Sequence, residues 1–175
     1  MKIKLKIIVL GLVSLFLASC SNDNTESSSS SVQAPESIKK YKWIMVTTWP
    51  KNFPGVGMAP ENFSKMVDEM SNGRLKIKVY GSGELVPAFG VFDAVSQGTY
   101  QAGHGASYYW TGKVKSSQFF TAVPFGLTAQ EMNGWIHHGG GKELWEEAYE
   151  PFNLIPFAGG NTGVQMAGWF KKEIN

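Results

Sequence analysis

Four consecutive polar and aromatic residues, Ser107-Tyr108-Tyr109-Trp110, combine hydroxyl donors with flat apolar side chains. Small polar ligands are often held by a few hydroxyls and amides in an aromatic-lined cleft. This composition favours a ligand-binding role for Ser107, Tyr108 and Tyr109. From the residues alone, aromatics that complete a core remain the alternative.

A second cluster, Asn161-Thr162-Gly163-Val164-Gln165, places two side-chain amides beside a glycine. An amide oxygen can accept a hydrogen bond from a ligand or coordinate a hard cation such as Na⁺ or Ca²⁺. Residue chemistry alone fits a structural role for Asn161 and Gln165 as well as it fits contact with a ligand.

Residue patterns typical of catalysis are not found. His137 and His138 are adjacent, and neighbours on a helix point about 100° apart and cannot chelate together. With His104, they are interpreted as helix-end or surface histidines. The glycines at 139–141 lack the Lys-Ser/Thr of a phosphate loop and are interpreted as a hinge between helices. No serine lies in a G-x-S-x-G elbow.

The elements expected to position these clusters begin with β-α-β. Residues 41–48 are β-branched and aromatic and predict a buried strand. Pro60 begins a helix whose one face carries Phe63, Met66, Val67 and Met70. Residues 74–80 alternate and predict a strand with one solvated side. This order predicts an α/β fold with a parallel sheet.

The remaining chain continues the alternation. A short helix is predicted over 87–97, with Phe89, Phe92 and Val95 on one side, and a strand over 100–106 leads into Ser107. Thr128 to Glu131 form a capping box for the next helix. After the break at 139–141, a helix over 142–150 should turn Leu144, Trp145 and Ala148 inward. Strands are predicted over 154–157 and 163–170.

The amino terminus predicts export. Three lysines precede an apolar run over 7–17 that is too short to span a bilayer, which needs roughly 20 apolar residues. Leu17-Ala18-Ser19-Cys20 resembles a bacterial lipobox. We therefore expect a signal peptide over 1–19, a lipid on Cys20, and a disordered Ser-rich tether over 20–40. The alternative is an ordinary signal peptide with a chance cysteine.

Charge and cysteine content narrow the classes of partner. Three of the 16 basic residues lie in the first six positions, so the chain from Cys20 carries 13 basic and 14 acidic residues. This balance gives no basic patch that would favour nucleic acid. One cysteine allows no disulfide framework.

Long stretches resemble one family, the extracytoplasmic solute-binding proteins of TRAP transporters. These stretches are VTTWPKNFPGVG (46–57), GRLKIKVYGSGELVPAFGVFDAVSQGT (73–99), GHGASYYWTGK (103–113), FFTAVPFGLTAQEMNGW (119–135) and GNTGVQMAGWFKKEIN (160–175). The similarity is greatest to the branch that binds 2-oxo acids and related monocarboxylates. It covers essentially all of residues 42–175.

The resemblance implies an α/β, type II periplasmic-binding-protein-like fold with two lobes around a cleft. The first lobe would be 41–152, and 153–175 would begin the second. Ser107, Tyr108 and Tyr109 would line the cleft, and Gln165 would contact both substrate and a bridging cation, Na⁺ or Ca²⁺. Family members are about twice as long, with the carboxylate-clamping arginine beyond Asn175, so we expect a fragment.

The implied function is capture of a small organic anion and its delivery to an ion-gradient-driven TRAP permease. The protein would be no enzyme, would lie in the periplasm or at the outer cell surface, and would be held to the membrane by its lipid. The full-length form could be a homodimer. The alternative function is an exported lipoprotein enzyme such as a hydrolase, which would need a nucleophile-base pair or a closed metal set.

Overall fold

The structure is a computed structural model that describes residues 38–165 and 168–173. The predicted signal peptide, Cys20 and most of the predicted tether lie outside the described residues. Within the described part, no helix has the length and apolar character needed to cross a membrane.

Within residues 38–165 and 168–173, three short parallel strands form one sheet in the order β2-β1-β3. β1 spans Tyr41–Thr47, β2 spans Leu75–Tyr80 and β3 spans Ala102–His104. Because β1 is central, the chain passes from β2 across β1 to reach β3. The strand order therefore reverses beside β1, which makes the carboxyl ends of β1 and β3 a topological switch point.

Four α-helices in the described part of the chain accompany the strands. They are α1 (Met58–Met70), α2 (Val91–Ser96), α3 (Ala129–His138) and α4 (Gly141–Tyr149). The α/β class, the parallel β-α-β unit and the helix break at 139–141 are confirmed. The capping box is also confirmed, since Thr128 accepts from the Glu131 backbone N–H and Glu131 accepts from that of Thr128.

Both faces of the sheet are covered over part of their length. On one face, Met45, Ile77 and Val79 form a small core beside α1, with Val67 packed against it. The opposite face carries the main core, built from β1, α2, α3, α4 and the 3-10 turns between them. Its buried members are Val46, Val91, Phe92, Trp110, Val114, Phe120, Met132, Ile136, Trp145 and Tyr149.

Three predicted helix faces need correction. Phe63, Met66 and Met70 are largely exposed, and in α1 only Pro60 is buried. Phe89, predicted on the same helix side as the buried Phe92, and Leu144, predicted to face inward, are also exposed. Helical spacing identifies an apolar stripe, but it cannot identify which part of the stripe another element covers.

The strands predicted over 154–157 and 163–170 are wrong for the described residues, which contain no strand after β3. Ile155, Phe157, Val164, Trp169 and Phe170 are exposed in this region. A strand is stabilised by pairing with a neighbour, and no described strand lies alongside these residues.

Candidate functional site

The candidate site lies where β1 and β3 end. β1 pairs with β3 up to Thr47 opposite His104, and the Thr48 N–H then donates to the His104 carbonyl at 2.9 Å. Gly105 allows this close approach, since an added Cβ there would lie 2.8 Å from Thr48 Cγ2. Ligands of open α/β sheets bind in such a crevice, outside the carboxyl ends of the strands.

Aromatic side chains surround this edge. The Trp49 ring lies 5.1 Å from the His104 ring and 6.1 Å from the Tyr109 ring, measured between centroids. Tyr109 also makes edge contacts with Tyr108 at 4.8 Å and with Phe89 at 5.5 Å. Tyr108, Tyr109, Trp49 and His104 are only partly buried, so each can pack in this cluster and still meet a ligand.

Two polar atoms at this edge are buried without a hydrogen-bond partner among the described residues. They are Thr48 Oγ1 and His104 Nδ1. Leaving such a group unsatisfied costs about 1–3 kcal/mol. Burial lowers the pKa of His104 from its ordinary value of 6.5, so the imidazole is neutral at pH 7 and can donate from one nitrogen and accept at the other.

Tyr108 and Tyr109 lie in a short 3-10 turn, Ser107–Trp110, that closely follows β3. The Tyr108 N–H donates to Thr121 Oγ1 at 3.3 Å, which connects this turn to the next segment. Burial raises the pKa of Tyr109, and its hydrogen bond with Tyr108 adds to the shift. The Tyr109 phenol therefore offers a neutral hydroxyl group at pH 7.

Ser107 differs from its two neighbours, because its side chain is buried. Its Oγ accepts a hydrogen bond from the Tyr149 hydroxyl at 3.0 Å. Burial raises the pKa of Tyr149, so this donor keeps its proton. The contact joins the 3-10 turn to α4, and Ser107 thereby positions the turn that carries Tyr108 and Tyr109.

Asn161 and Gln165 lie in an exposed segment without helix or strand. Asn161 Oδ1 accepts from the Gly163 N–H at 2.7 Å, and Gly163 has φ of 79°, so the side chain stabilises a local turn. No hydrogen bond of the described residues joins Asn161 or Gln165 to Tyr108, Tyr109 or the other aromatic side chains at the sheet edge. The same segment passes His104 earlier, where a Cβ on Gly159 would lie 3.4 Å from Nε2.

The described residues offer a metal ion only single oxygen ligands that lie apart from one another. The described residues contain no group of three or more His, Cys, Asp or Glu side chains able to hold a metal ion. Gln165 could supply one amide oxygen to a hard cation, which takes six to eight oxygens in the case of Ca²⁺. A cation there would need further ligands beyond those that the described residues bring together.

His137 and His138 lie exposed at the end of α3, as predicted. For His104, the surface interpretation is wrong, because Nδ1 is buried. Thr48, Trp49 and His104 were not among the predicted site residues. Their signal is positional, since each lies at or just after the carboxyl end of a strand.

An apolar groove lies elsewhere, between α3, α4 and the 3-10 turn Lys115–Phe120. It has a volume of about 420 Å³ and is lined mainly by Phe119, Phe120, Trp135 and Leu144. Its only charged lining residue is Glu147. An apolar groove with a carboxylate at its rim suits a small organic anion poorly.

Comparison with known proteins identifies the family. The family model for bacterial extracellular solute-binding protein, family 7, matches residues 45–175. This chain belongs to that family. The matched range includes the whole carboxyl edge described above and both predicted clusters, and the resemblance to TRAP solute-binding proteins is confirmed.

Individual relatives are similar over most of this chain. A monocarboxylate 2-oxoacid-binding periplasmic protein of Nostoc sp. is 48% identical over 158 residues, covering 90% of this chain and 42% of its own length. Two crystal structures of TRAP periplasmic solute-binding proteins are each 53% identical with a TM-score of 0.75, covering 78% of this chain and 42% of theirs.

The first crystal structure is from Pseudoalteromonas atlantica T6c and contains sodium and pyruvate. The second is from Colwellia psychrerythraea and contains calcium and pyruvate. The chain thus spans less than half the length of the relatives it matches, and its described part has the α/β fold of type II binding proteins.

Proposed function

We propose that this chain is part of a TRAP transporter solute-binding protein that captures a 2-oxo acid or a related monocarboxylate. The observation that carries the proposal is the edge formed by Thr48, Trp49, His104 and Tyr109. This edge lies at the switch point of a parallel sheet, and the chain belongs to a family of extracellular solute-binding proteins.

The chemistry of this edge suits a compact 2-oxo acid. Pyruvate has a methyl group that can pack on aromatic rings, and a keto oxygen that needs a neutral donor. The rings of Trp49 and Tyr109 offer the apolar surface for the methyl group. The hydroxyls of Tyr108 and Tyr109 and the neutral imidazole of His104 offer donors to the keto oxygen. The buried Ser107 side chain holds the turn that carries these tyrosines, through the hydrogen bond it accepts from Tyr149.

Charge neutralisation requires other groups. None of the aromatic or hydroxyl side chains at this edge is positively charged at pH 7, and a carboxylate is costly to desolvate without an opposite charge. We propose that Gln165 helps here, with its amide N–H groups on the carboxylate and its amide oxygen on a bridging Na⁺ or Ca²⁺. Asn161 would hold the turn that presents it.

Further parts of the proposal concern location and partners. The bound solute would pass to TRAP permease subunits, and the protein would bind without catalysing a reaction. We also propose residence in the periplasm or at the outer cell surface, with a lipid on Cys20 as anchor. A homodimer of the complete protein stays a prediction, which light scattering can test.

Calorimetric titration of the complete mature protein tests the ligand class. We expect saturable binding of pyruvate, weaker binding without Na⁺ and Ca²⁺, and little binding of acetate, which lacks the keto oxygen. If neither pyruvate nor any longer 2-oxo acid gives a binding isotherm in the presence of both cations, the proposed ligand class is wrong.

The anchor is tested separately in cells. A fatty-acid probe should label the protein, and Cys20→Ser should release it from the membrane fraction. An unlabelled protein that keeps Ser19 at or before its mature amino terminus would contradict lipidation, without bearing on ligand binding.

A further inference from the structure

Strand pairing concentrates basic side chains at the amino-terminal ends of β1 and β2. Lys42 lies directly opposite Lys76 in the parallel register, and Lys78 is two residues further along β2 on the same face. All three side chains are exposed. Lys40 and Arg74, also exposed, lie just before the two strands. We call these five residues the basic edge.

The described residues neutralise the basic edge only in part. Only Lys76 forms an ion pair, with Asp68 at 3.6 Å, while Lys78 lies 4.8 Å from the centre of the Tyr80 ring. Like charges directly opposite each other destabilise a sheet. This arrangement therefore has a cost in the free protein that a bound anionic surface would remove.

Protection of a sheet edge does not explain the whole arrangement. Lysines on an edge strand such as β2 can prevent unwanted pairing with another chain. β1 pairs with β3 only over Met45–Thr47, so Lys42 also lies beside an unpaired stretch of strand. Edge protection, however, does not require two lysines directly opposite each other on one face, as Lys42 and Lys76 are. The near-neutral total charge of the chain, which predicted no basic patch, conceals this local concentration.

We propose that the basic edge binds the anionic headgroups of the membrane that holds the lipid anchor. The inference rests on the proposed export and on lipidation at Cys20. Residues 20–40 lead directly into β1 at Tyr41. A flexible linker of this length, as its composition predicts, has a mean end-to-end distance of roughly 25 Å.

Because of this tether, weak binding between the basic edge and the membrane surface is sufficient for docking. A short flexible linker keeps the effective concentration of the two sites in the millimolar range. Each basic side chain close to an anionic membrane strengthens the association, by roughly fivefold. A basic patch beside a lipid anchor is also a recognised second signal for stable membrane attachment.

Docking through the basic edge would fix the orientation of the lobe. The candidate ligand site lies at the other end of the strands, about 20 Å away along the seven residues of β1. The docked lobe would thus present Trp49 and Tyr109 away from the lipid surface, open to solutes. Release from the lipid would then have to precede delivery to a membrane permease.

Vesicle co-sedimentation tests this inference without the anchor. The complete mature protein, made as Cys20→Ser, is mixed with phosphatidylcholine vesicles that either contain or lack phosphatidylglycerol. We expect binding only to the anionic vesicles, and a loss of binding as salt rises to about 0.15 M, where charges are screened beyond roughly 8 Å.

Paired charge reversals locate the surface. Lys42→Glu/Lys78→Glu should weaken binding to anionic vesicles by at least roughly 30-fold, which is the effect of losing two basic side chains before the repulsion of the new carboxylates is added. This variant should remain folded, because the new carboxylate on β1 would lie opposite Lys76. The control Lys115→Glu/Lys172→Glu makes the same change in net charge away from the basic edge, at two exposed lysines that form no ion pair among the described residues, and should bind nearly as well as the parent.

Several results would overturn the inference. They are equal binding to vesicles with and without phosphatidylglycerol, no binding to either, or an equal loss in the control variant. Duplex DNA that competes as strongly as the anionic vesicles would indicate a general polyanion surface instead. Pyruvate titration of the same variants should be unchanged, so failure here leaves the proposed ligand function intact.

Discussion

Two adjacent threonines at the end of β1 should respond in opposite directions to the same substitution. Thr47 and Thr48 are both buried, at 2% and 7% exposure. The Thr47 hydroxyl donates to the Trp49 carbonyl at 2.6 Å, whereas Thr48 Oγ1 has no partner among the described residues. Valine replaces a hydroxyl by a methyl group of similar shape in each case.

The expected free energies differ in sign. Thr48→Val removes a buried unsatisfied hydroxyl, so the unfolding free energy should rise by about 1 kcal/mol. Thr47→Val removes one of the two hydrogen bonds to the Trp49 carbonyl, which still accepts from the Ser82 N–H at 3.0 Å, so the unfolding free energy should fall by about 0.5–1.5 kcal/mol.

Urea unfolding of the complete mature protein measures both values. The slope of the free energy against urea should stay unchanged, which shows that the two variants expose the same surface on unfolding. Calorimetry with pyruvate is the second measurement. If the Thr48 hydroxyl meets the ligand, Thr48→Val should bind pyruvate more weakly even though it is more stable.

One outcome would refute this reasoning. If Thr48→Val destabilises the protein as much as Thr47→Val, the Thr48 hydroxyl is satisfied by a buried water or by another group. Its role would then be structural. Higher stability with unchanged pyruvate affinity would instead confine the role of Thr48 to the free protein.

Three further predictions concern the same region. Gln165→Leu should weaken pyruvate binding by roughly 5- to 150-fold, because polar partners would lose about 1–3 kcal/mol, whereas Gln130→Ala on α3 should change affinity little; equal affinity of Gln165→Leu and the parent would contradict the assignment. His104 has a lowered pKa when folded, so the unfolded chain binds more protons below pH 6.5. Stability should therefore fall as pH drops through that value, and a His104→Gln variant with an unchanged pH profile would contradict this. Tyr149→Phe removes the donor to Ser107 and should lower the unfolding free energy by about 1–3 kcal/mol, measured by urea unfolding; an unchanged free energy would mean that the contact contributes nothing.

Local patterns in the sequence predicted much of the first part of the fold. The alternation in 74–80 and the capping box at Thr128 are set by neighbouring residues, so both could be read directly. The exposed side of α1 could not, because Phe63 and Met66 have the spacing of a buried face. Which face is covered depends on segments far along the chain.

The candidate site was predictable only in part. Tyr108 and Tyr109 were found because they closely follow a strand, and strand ends are where α/β proteins bind ligands. Trp49 and His104 were not, since their importance arises from β1 lying beside β3. A strand order of β2-β1-β3 is a long-range property that periodicity does not encode.

The described residues and the predicted anion ligand complement each other incompletely, and the mismatch has a physical consequence. The aromatic and hydroxyl side chains at the edge around Trp49 and Tyr109 carry no charge. The hydrogen bond from Tyr149 to Ser107 fixes the 3-10 turn Ser107–Trp110 before any ligand binds. A carboxylate needs opposite charge as well, from a cation or a basic side chain. Gln165 lies in an exposed segment that no hydrogen bond of the described residues joins to this edge. Affinity for an anion would therefore depend on bringing that segment and its charges onto the preformed edge, as closure around a ligand does in hinged binding proteins.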